Sequence, residues 1–266
     1  MTTSDQRPLA VVTGASSGIG LELAKQFAAH DFDLIVAAED DELETAATGL
    51  SAGGADVTAV QADLATEAGV ARLHGRIQEA GRPVAALALN AGIGAGGGSF
   101  LEVPIAKHLQ LIDLNVRGTV HLAHLVLSDM VARGDGRVLI TSSIASTQPG
   151  AYQSTYNASK SFDQAFALAI REELKDTGVT VTSLMPGPTD TEFFERADLE
   201  DTKLGTSTKD DPADVARDGF EAMMNGDERV VSASLMTKAQ GRAGRFLPDA
   251  VKAALHGNMA EPGSGS

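Results

Sequence analysis

The chain contains no cysteine and no tryptophan, only two tyrosines, and far fewer basic than acidic residues. Without cysteine there is no disulfide, no thiolate nucleophile and no thiolate-bound metal. Lys and Arg number 21 against 36 Asp and Glu, a net charge of −15 with histidine neutral. Nucleic acid binding needs clustered cations to neutralise phosphates, so this balance argues against a polyanion partner. No apolar run reaches the length of a membrane span, and residues 1–8 lack the hydrophobic region of a signal peptide. A cytoplasmic protein with no membrane partner is the expectation. What the chain does have is 43% hydrophobic residues and 28 glycines over 266 positions. That suffices for one sizeable core and excludes global disorder.

Short apolar runs alternate with longer helical patterns. Residues 9–13, 33–37, 56–60, 84–89, 137–141 and 179–184 read as buried strands. Residues 18–30, 40–50, 66–80, 104–132 and 154–177 carry helical patterns. Such alternation builds βαβ units around a parallel sheet covered on both faces. The expected fold class is α/β: a Rossmann-like doubly wound parallel sheet, in a single domain over residues 1–260. Residues 261–266 are expected to form a disordered tail.

The first strand runs into Thr13-Gly14-Ala15-Ser16-Ser17-Gly18-Ile19-Gly20 and then the first helix. Glycines let the backbone turn sharply and approach a pyrophosphate, while the helix N-terminus offers free N–H groups and a favourable dipole. In a strand–turn–helix context, Gly14, Ser16, Ser17, Gly18, Ile19 and Gly20 are candidate dinucleotide contacts. A ribose-reading acid belongs after the second strand. Glu39 is the better-placed candidate and Asp40 its alternate, whereas Asp41 and Glu42 complement the dipole of the next helix. Residues 26–71 hold ten acids and no Lys or Arg. A 2′-phosphate would meet repulsion there and no local cation, so NAD is expected rather than NADP unless a distant segment supplies one.

Tyr156 and Lys160 are four apart in a helical pattern and share one face. Thirteen residues upstream, Ser143 lies just past a strand end, where open α/β sheets bind ligands. A phenol titrates near pH 10, about 3 units above a useful catalytic value, or ~4 kcal/mol. An ammonium roughly 4 Å away at an effective dielectric near 20 contributes about 4 kcal/mol. Lys160, helped by the positive nicotinamide of NAD⁺, is therefore of the right magnitude to make Tyr156 a general acid and base.

Taken together, Thr13-Gly14-x-x-x-Gly18-x-Gly20, Asn90-Ala91-Gly92, Asn115, Ser143, Tyr156-x-x-x-Lys160 and Pro186-Gly187 resemble the single-domain short-chain dehydrogenase/reductase family over residues 8–232. The resemblance implies a Rossmann fold, a nicotinamide cofactor and interconversion of alcohol and carbonyl. It further implies that Asn115, Ser143, Tyr156 and Lys160 are catalytic, with Lys160 also holding the nicotinamide ribose and Asn115 positioning a relay water. Asp63 and Leu64 match the family's adenine contact, and Asn90, Ala91, Gly92, Pro186 and Gly187 join the cofactor site. Thr189 and Thr191 are candidates for the carboxamide, with Thr191 favoured by the family's motif. One departure is Leu89, where the family often has a second asparagine; this removes a polar brace and touches no catalytic role. A homodimer or homotetramer through the long helices is implied by resemblance.

Residues 188–209 are expected to form a substrate lid. Phe193 and Phe194 either cover an apolar substrate or anchor the lid. The lid acids Asp190, Glu192, Glu195, Asp198, Glu200 and Asp201 argue against strongly anionic substrates, unless they are simply solvated. Tyr152 lines the pocket or packs on the surface, and residues 92–98 form a flexible loop beside it. His121 and His124 have a spacing metal ligands use but lack a third partner, so no metal site is expected. Asn157 sits in a glycosylation sequon inside the catalytic helix and is discounted. Residues 235–255 form an amphipathic stretch expected to pack on the domain or a partner subunit. The expected activity is NAD-dependent hydride transfer to or from a secondary alcohol or ketone. Its rivals are an NADPH-dependent 3-oxoacyl reductase and a nucleotide-sensing protein without turnover.

Overall fold

The computed structural model describes residues 6–232 and 247–265. The chain begins with β1 (Leu9–Thr13), α1 (Gly18–Ala29), β2 (Asp33–Ala38), α2 (Glu42–Ser51), β3 (Val57–Gln61), α3 (Glu67–Glu79) and β4 (Val84–Leu89). There follow α4 (Ile105–Ile112), a π-helical turn (Asp113–Gly118), α5 (Thr119–Arg133), β5 (Gly136–Thr141), a tight helical turn (Ile144–Thr147) and α6 (Ser154–Glu173). β6 (Val179–Pro186), α7 (Phe193–Arg196), α8 (Lys203–Thr206), α9 (Pro212–Asn225), β7 (Arg229–Ser232) and α10 (Asp249–Ala260) complete the described chain.

The strands lie in the order β3-β2-β1-β4-β5-β6-β7, all parallel. This is the Rossmann-like α/β sheet expected from the alternating pattern. Every residue of β1 and β2 is buried, as a sheet covered on both faces requires. Alternation along β1 sends Leu9 and Val11 into one core layer with Leu73, Leu122 and Met130. Ala10 and Val12 enter the other layer with Leu23, Phe27, Val215 and Met223. Each large side chain fully buried there contributes about 1.5–3 kcal/mol.

Strand order reverses between β1 and β4, and the crevice past the carboxyl ends of such strands is where these sheets take ligands. Thr13 ties that edge together. Its hydroxyl donates to the Ala88 carbonyl at 3.3 Å and accepts from the N–H groups of Asn90 at 2.9 Å and Ala91 at 3.0 Å.

Three sequence expectations change. The helix expected over 104–132 is interrupted by the π-helical turn that contains Asn115. α9 and β7 extend the regular structure beyond the expected elements. Residues 261–265, expected as a disordered tail, form turns against residues 201–203. There the Asp201 carboxylate accepts from Gly263 N–H at 2.9 Å, and the Asp201 carbonyl accepts from Gly265 N–H at 2.8 Å. Of the amphipathic stretch 235–255, residues 235–246 lie outside the described residues, and 249–255 open α10. Among the described residues no helix is long and apolar enough to cross a membrane.

Candidate active site

A cleft of about 1190 Å³ opens at the carboxyl ends of the strands. All the residues expected to hold the cofactor line it, together with Ser143, Tyr156 and Lys160. Asn115 does not line the cleft.

One end of the cleft is built by the glycine turn. Gly14 and Gly18 have φ of +66° and +53°, and a Cβ on Gly20 would lie 1.9 Å from the Gly14 carbonyl oxygen. α1 begins at Ser17 without a side-chain cap and has no acid in its first turn. Its N–H groups and dipole are therefore left for an external anion. Thr191 sits against this turn, since a Cβ on Gly18 would meet its methyl group at 3.0 Å. The Thr189 hydroxyl instead donates to the Gly187 carbonyl at 2.9 Å.

After β2, Asp40 accepts from the Ser16 hydroxyl at 2.9 Å. Its Oδ1 is buried and has no partner among the described residues. Glu39 is exposed, and its backbone carbonyl accepts from Gln61. A buried acceptor without a donor fits a ribose hydroxyl, so Asp40 joins Glu39 as the candidate reader. This end is also not devoid of cations. Arg196, from α7, reaches Asp40 at 3.8 Å and Glu42 at 3.7 Å, while its tightest pair is Glu192 at 2.6 Å. Arg82 pairs with Asp33, and Arg7 with Asp31, at the amino end of β2, away from the cleft. Arginines from distant segments thus meet an acidic run that is bare of cations in sequence. The uncapped helix, the glycine turn and the orphan acceptor together fit a dinucleotide.

The other end of the cleft holds Ser143, Tyr156 and Lys160. Ser143 caps the turn that follows β5, accepting from Ala145 N–H at 3.1 Å. Ser142 is committed elsewhere, its buried hydroxyl donating to the Lys160 carbonyl at 2.8 Å. Lys160 is 5% exposed; its ammonium donates to the Thr141 carbonyl at 2.8 Å and to Asp163 at 3.1 Å. Burial pushes the Asp163 carboxyl up, and Lys160 only partly draws it back. Burial likewise pushes the Tyr156 phenol above its ordinary value; Lys160 and a hydrogen bond with Ser143 lower it, and Asp163 raises it further. Tyr156 is half-buried and lines the cleft. Lys160 thus acts on the phenol in the expected direction, and Asp163 opposes it with the smaller effect.

Asn115 is fully buried behind these residues. Its amide accepts from Ile93 N–H at 2.9 Å and donates to the Ile93 carbonyl at 3.0 Å and to Ser159 at 3.1 Å. In this structure it clamps the loop after β4 to α6. Asn90 braces the neighbouring strand ends, donating to the Thr13 carbonyl and accepting from the Thr141 hydroxyl. Leu89 is simply buried in the core.

Phe193 and Phe194 both line the cleft but differ in their contacts. Phe194 is buried with Ala197 and Leu199, whereas Phe193 lies against Tyr156 with ring centroids 5.1 Å apart. Tyr152 turns away and donates to Glu261 at 3.2 Å. Asn157 is buried and donates to the Ala145 and Gln148 carbonyls. Among the described residues no group of three His, Asp or Glu side chains could hold a metal. Asp163, Arg196, Lys252 and His256 are site residues that the sequence reading does not assign. Asp163 alone carried a signal, lying three residues past Lys160 on the same helical face.

The fold and this cluster define a dinucleotide-binding α/β protein with a tyrosine, a lysine and a serine at one end of its cleft. Residues 8–201 match the short chain dehydrogenase family model, and the chain belongs to that family. It is 37% identical over 193 residues to 1-deoxy-11-beta-hydroxypentalenate dehydrogenase of Streptomyces exfoliatus, covering 71% of this chain and 70% of that protein. It is similar to a short-chain dehydrogenase from Sphingobium yanoikuyae in complex with NADPH (TM-score 0.79, 27% identity), covering 91% of this chain and 97% of that one. It shares its fold with a short chain dehydrogenase/reductase from Burkholderia phymatum in complex with NAD (TM-score 0.81, 24% identity), covering 91% and 94%. The chain is thus an oxidoreductase of this family, whose members use NAD or NADP with small alcohol and ketone substrates.

Proposed function

We propose that the protein transfers hydride between NAD(H) and a secondary alcohol or ketone, with Tyr156 as general acid and base. The observation that carries this reading is the meeting of Tyr156, Ser143 and Lys160 at one end of a cleft whose other end fits a dinucleotide. When bound, the nicotinamide supplies the hydride acceptor or donor. Tyr156 takes the proton from the substrate hydroxyl in oxidation and returns it to the carbonyl oxygen in reduction. Ser143 holds that oxygen by a hydrogen bond. Lys160 keeps its charge near the phenol and holds the nicotinamide ribose. Asn115 fixes the loop at Ile93 that walls the reaction end.

Asp40, Glu39 and Glu42 at the ribose end support NAD over NADP. Arg196 is the group that could favour a 2′-phosphate, but three carboxylates share its charge. A homo-oligomer is supported by the exposed apolar residues Leu101, Ile105, Leu109 and Ile112 on and before α4. The test is nicotinamide absorbance with NAD⁺ and NADP⁺ separately, against aliphatic, cyclic and hydroxyacyl secondary alcohols. Turnover faster with NAD⁺ is expected. Tight cofactor binding with no turnover across the panel would overturn the enzyme reading, and preference for NADP⁺ would overturn the cofactor reading.

A further inference from the structure

Of the acids in residues 188–209, Glu192 lines the cleft and the other described ones do not. Asp198 pairs with Lys107 at 2.6 Å across the surface, and Asp201 is engaged by Gly263 and Gly265. Asp190, Glu195 and Glu200 are exposed and do not line the cleft. Among the described residues, the carboxylates that do line it are Glu39, Asp40, Asp63 and Glu192. The first three follow β2 and β3, and Glu192 contacts Ser17 of the glycine turn. All four belong to the dinucleotide end.

The reaction end has the opposite character. α10 docks there, because His256 bonds the Ala151 carbonyl at 3.1 Å and Gly257 lies against Ala151 and Tyr152, in the segment joining Ser143 to α6. One face of α10 turns Lys252, Leu255, His256 and Met259 to the cleft, at the spacing of successive helical turns. Lys203 of α8 lines it as well. Burial holds His256 below the ordinary histidine range, so it adds no charge at neutral pH. The Lys252 side chain is 15% exposed, and its ion pair is with Asp249, which is 81% exposed and does not line the cleft. Leu255 and Met259 are 52% and 44% exposed. Gln153, also lining this end, is buried, and its Nε2 donor has no partner among the described residues. In a chain of net charge −15, this end therefore presents ammonium groups, an unmatched donor and bare apolar side chains, with no carboxylate among the described lining residues.

Resting on the oxidoreductase reading, we infer that the substrate is a ketone or secondary alcohol with an apolar body ending in an anionic group of the carboxylate class. Lys252 holds the anion, with Lys203 adding field, and Leu255, Met259 and Phe193 cover the apolar body. Lys252 exchanges a solvent-exposed carboxylate for one shielded by the cleft, where a charge-assisted hydrogen bond is stronger. This reverses the expectation, drawn from lid composition, that anionic substrates are disfavoured.

The experiment uses the full chain and keto acids of increasing length, from 4-oxopentanoate to 7-oxooctanoate, each paired with its neutral primary amide. Affinity for the cofactor-loaded protein is measured by calorimetry, and kcat and KM are measured where turnover occurs. The acid is expected to bind about tenfold more tightly than the amide at the best length, through KM rather than kcat. In Lys252→Gln the ratio collapses toward one, in Lys252→Glu it inverts, and Lys252→Arg restores it. Equal or tighter binding of the amide by the wild type overturns the inference. So does a Lys252→Gln protein that loses cofactor affinity but keeps the acid-to-amide ratio, because Lys252 would then serve a cofactor phosphate. Selective, Lys252-dependent binding of the acid without turnover of any probe would sustain the inference while removing the oxidoreductase reading.

Discussion

Lys160 and Asp163 stand one turn apart on α6 and form a 3.1 Å ion pair, with side chains 6% and 2% exposed. The catalytic candidate lysine thus has an internal counter-ion within a few ångströms of the phenol it is meant to acidify. Burial raises the phenol most; Lys160 and the Ser143 hydrogen bond lower it, and Asp163 adds a smaller rise. On the proposed mechanism, alcohol oxidation needs Tyr156 deprotonated, and the rate is expected to rise with pH through its pKa. Asp163→Asn removes the opposing negative charge, so the rising limb moves to lower pH. The pH profile of kcat checks this; a limb that stays in place shows that Asp163 only packs the helix.

Tyr156→Phe keeps the ring against Phe193 but removes the hydroxyl. Loss of a general acid–base group costs about 10²–10⁴-fold in kcat. Cofactor binding, followed by quenching of reduced nicotinamide fluorescence, is expected to persist. Wild-type turnover in this variant removes Tyr156 from the mechanism.

Gly20→Ala tests the glycine turn. The added methyl would sit 1.9 Å from the Gly14 carbonyl oxygen, a backbone atom that cannot rotate away. The turn must open, at a cost of about 1–3 kcal/mol, and dinucleotide affinity is expected to fall by about tenfold or more. Gly53→Ala, where an added methyl meets nothing within 4 Å, serves as the matched control.

Arg196 is predicted to tune cofactor choice. Arg196→Ala leaves Asp40 and Glu42 unscreened, which penalises a 2′-phosphate more than a ribose hydroxyl. Exposed pairs of this kind contribute up to about 1 kcal/mol, so the NADP⁺-to-NAD⁺ ratio of kcat/KM falls several-fold. Asp40→Ala moves the same ratio upward. Steady-state kinetics with each cofactor reads both changes.

The Asp33–Arg82 pair makes part of the stability acid-labile. Burial pushes the Asp33 carboxyl up, but the Asp56 N–H at 2.9 Å and Arg82 at 2.8 Å outweigh it and leave the pKa below the ordinary value. A depressed carboxyl stabilises the fold above its unfolded value of about 3.9 and loses that contribution as pH falls through the folded value. Asp33→Asn is therefore less stable than wild type at neutral pH, and the gap in Tm narrows below about pH 4. Arg82→Ala removes the nearest cation but leaves the Asp56 N–H bond and the field of Arg7, and is expected to cost about 1–3 kcal/mol. Thermal unfolding across pH measures both.

The parts of this molecule legible in sequence are those specified locally. The strand pattern, the Gly14–Gly20 turn and the Tyr156–Lys160 spacing each need only neighbouring residues, and each takes its expected form. The π-helical turn at 113–118 is not written in local periodicity; there the buried Asn115 side chain is drawn to Ile93 and Ser159. Arg196 is 156 positions from Asp40, and Lys252 is 96 positions from Tyr156. Neither meeting follows from spacing, because both depend on how the lid and α10 pack across the sheet edge. Composition misled for the same reason: of the six acids counted there as pocket charge, only Glu192 lines the cleft, and it does so beside the glycine turn.

Residues 261–265 are fastened to Asp201 and Lys203, and Lys203 lines the cleft. An affinity tag appended after residue 266, or a deletion from 261 onward, therefore disturbs the segment that carries the cleft-lining Lys203. Substrate affinities measured on tagged and untagged protein are then properties of two different enzymes.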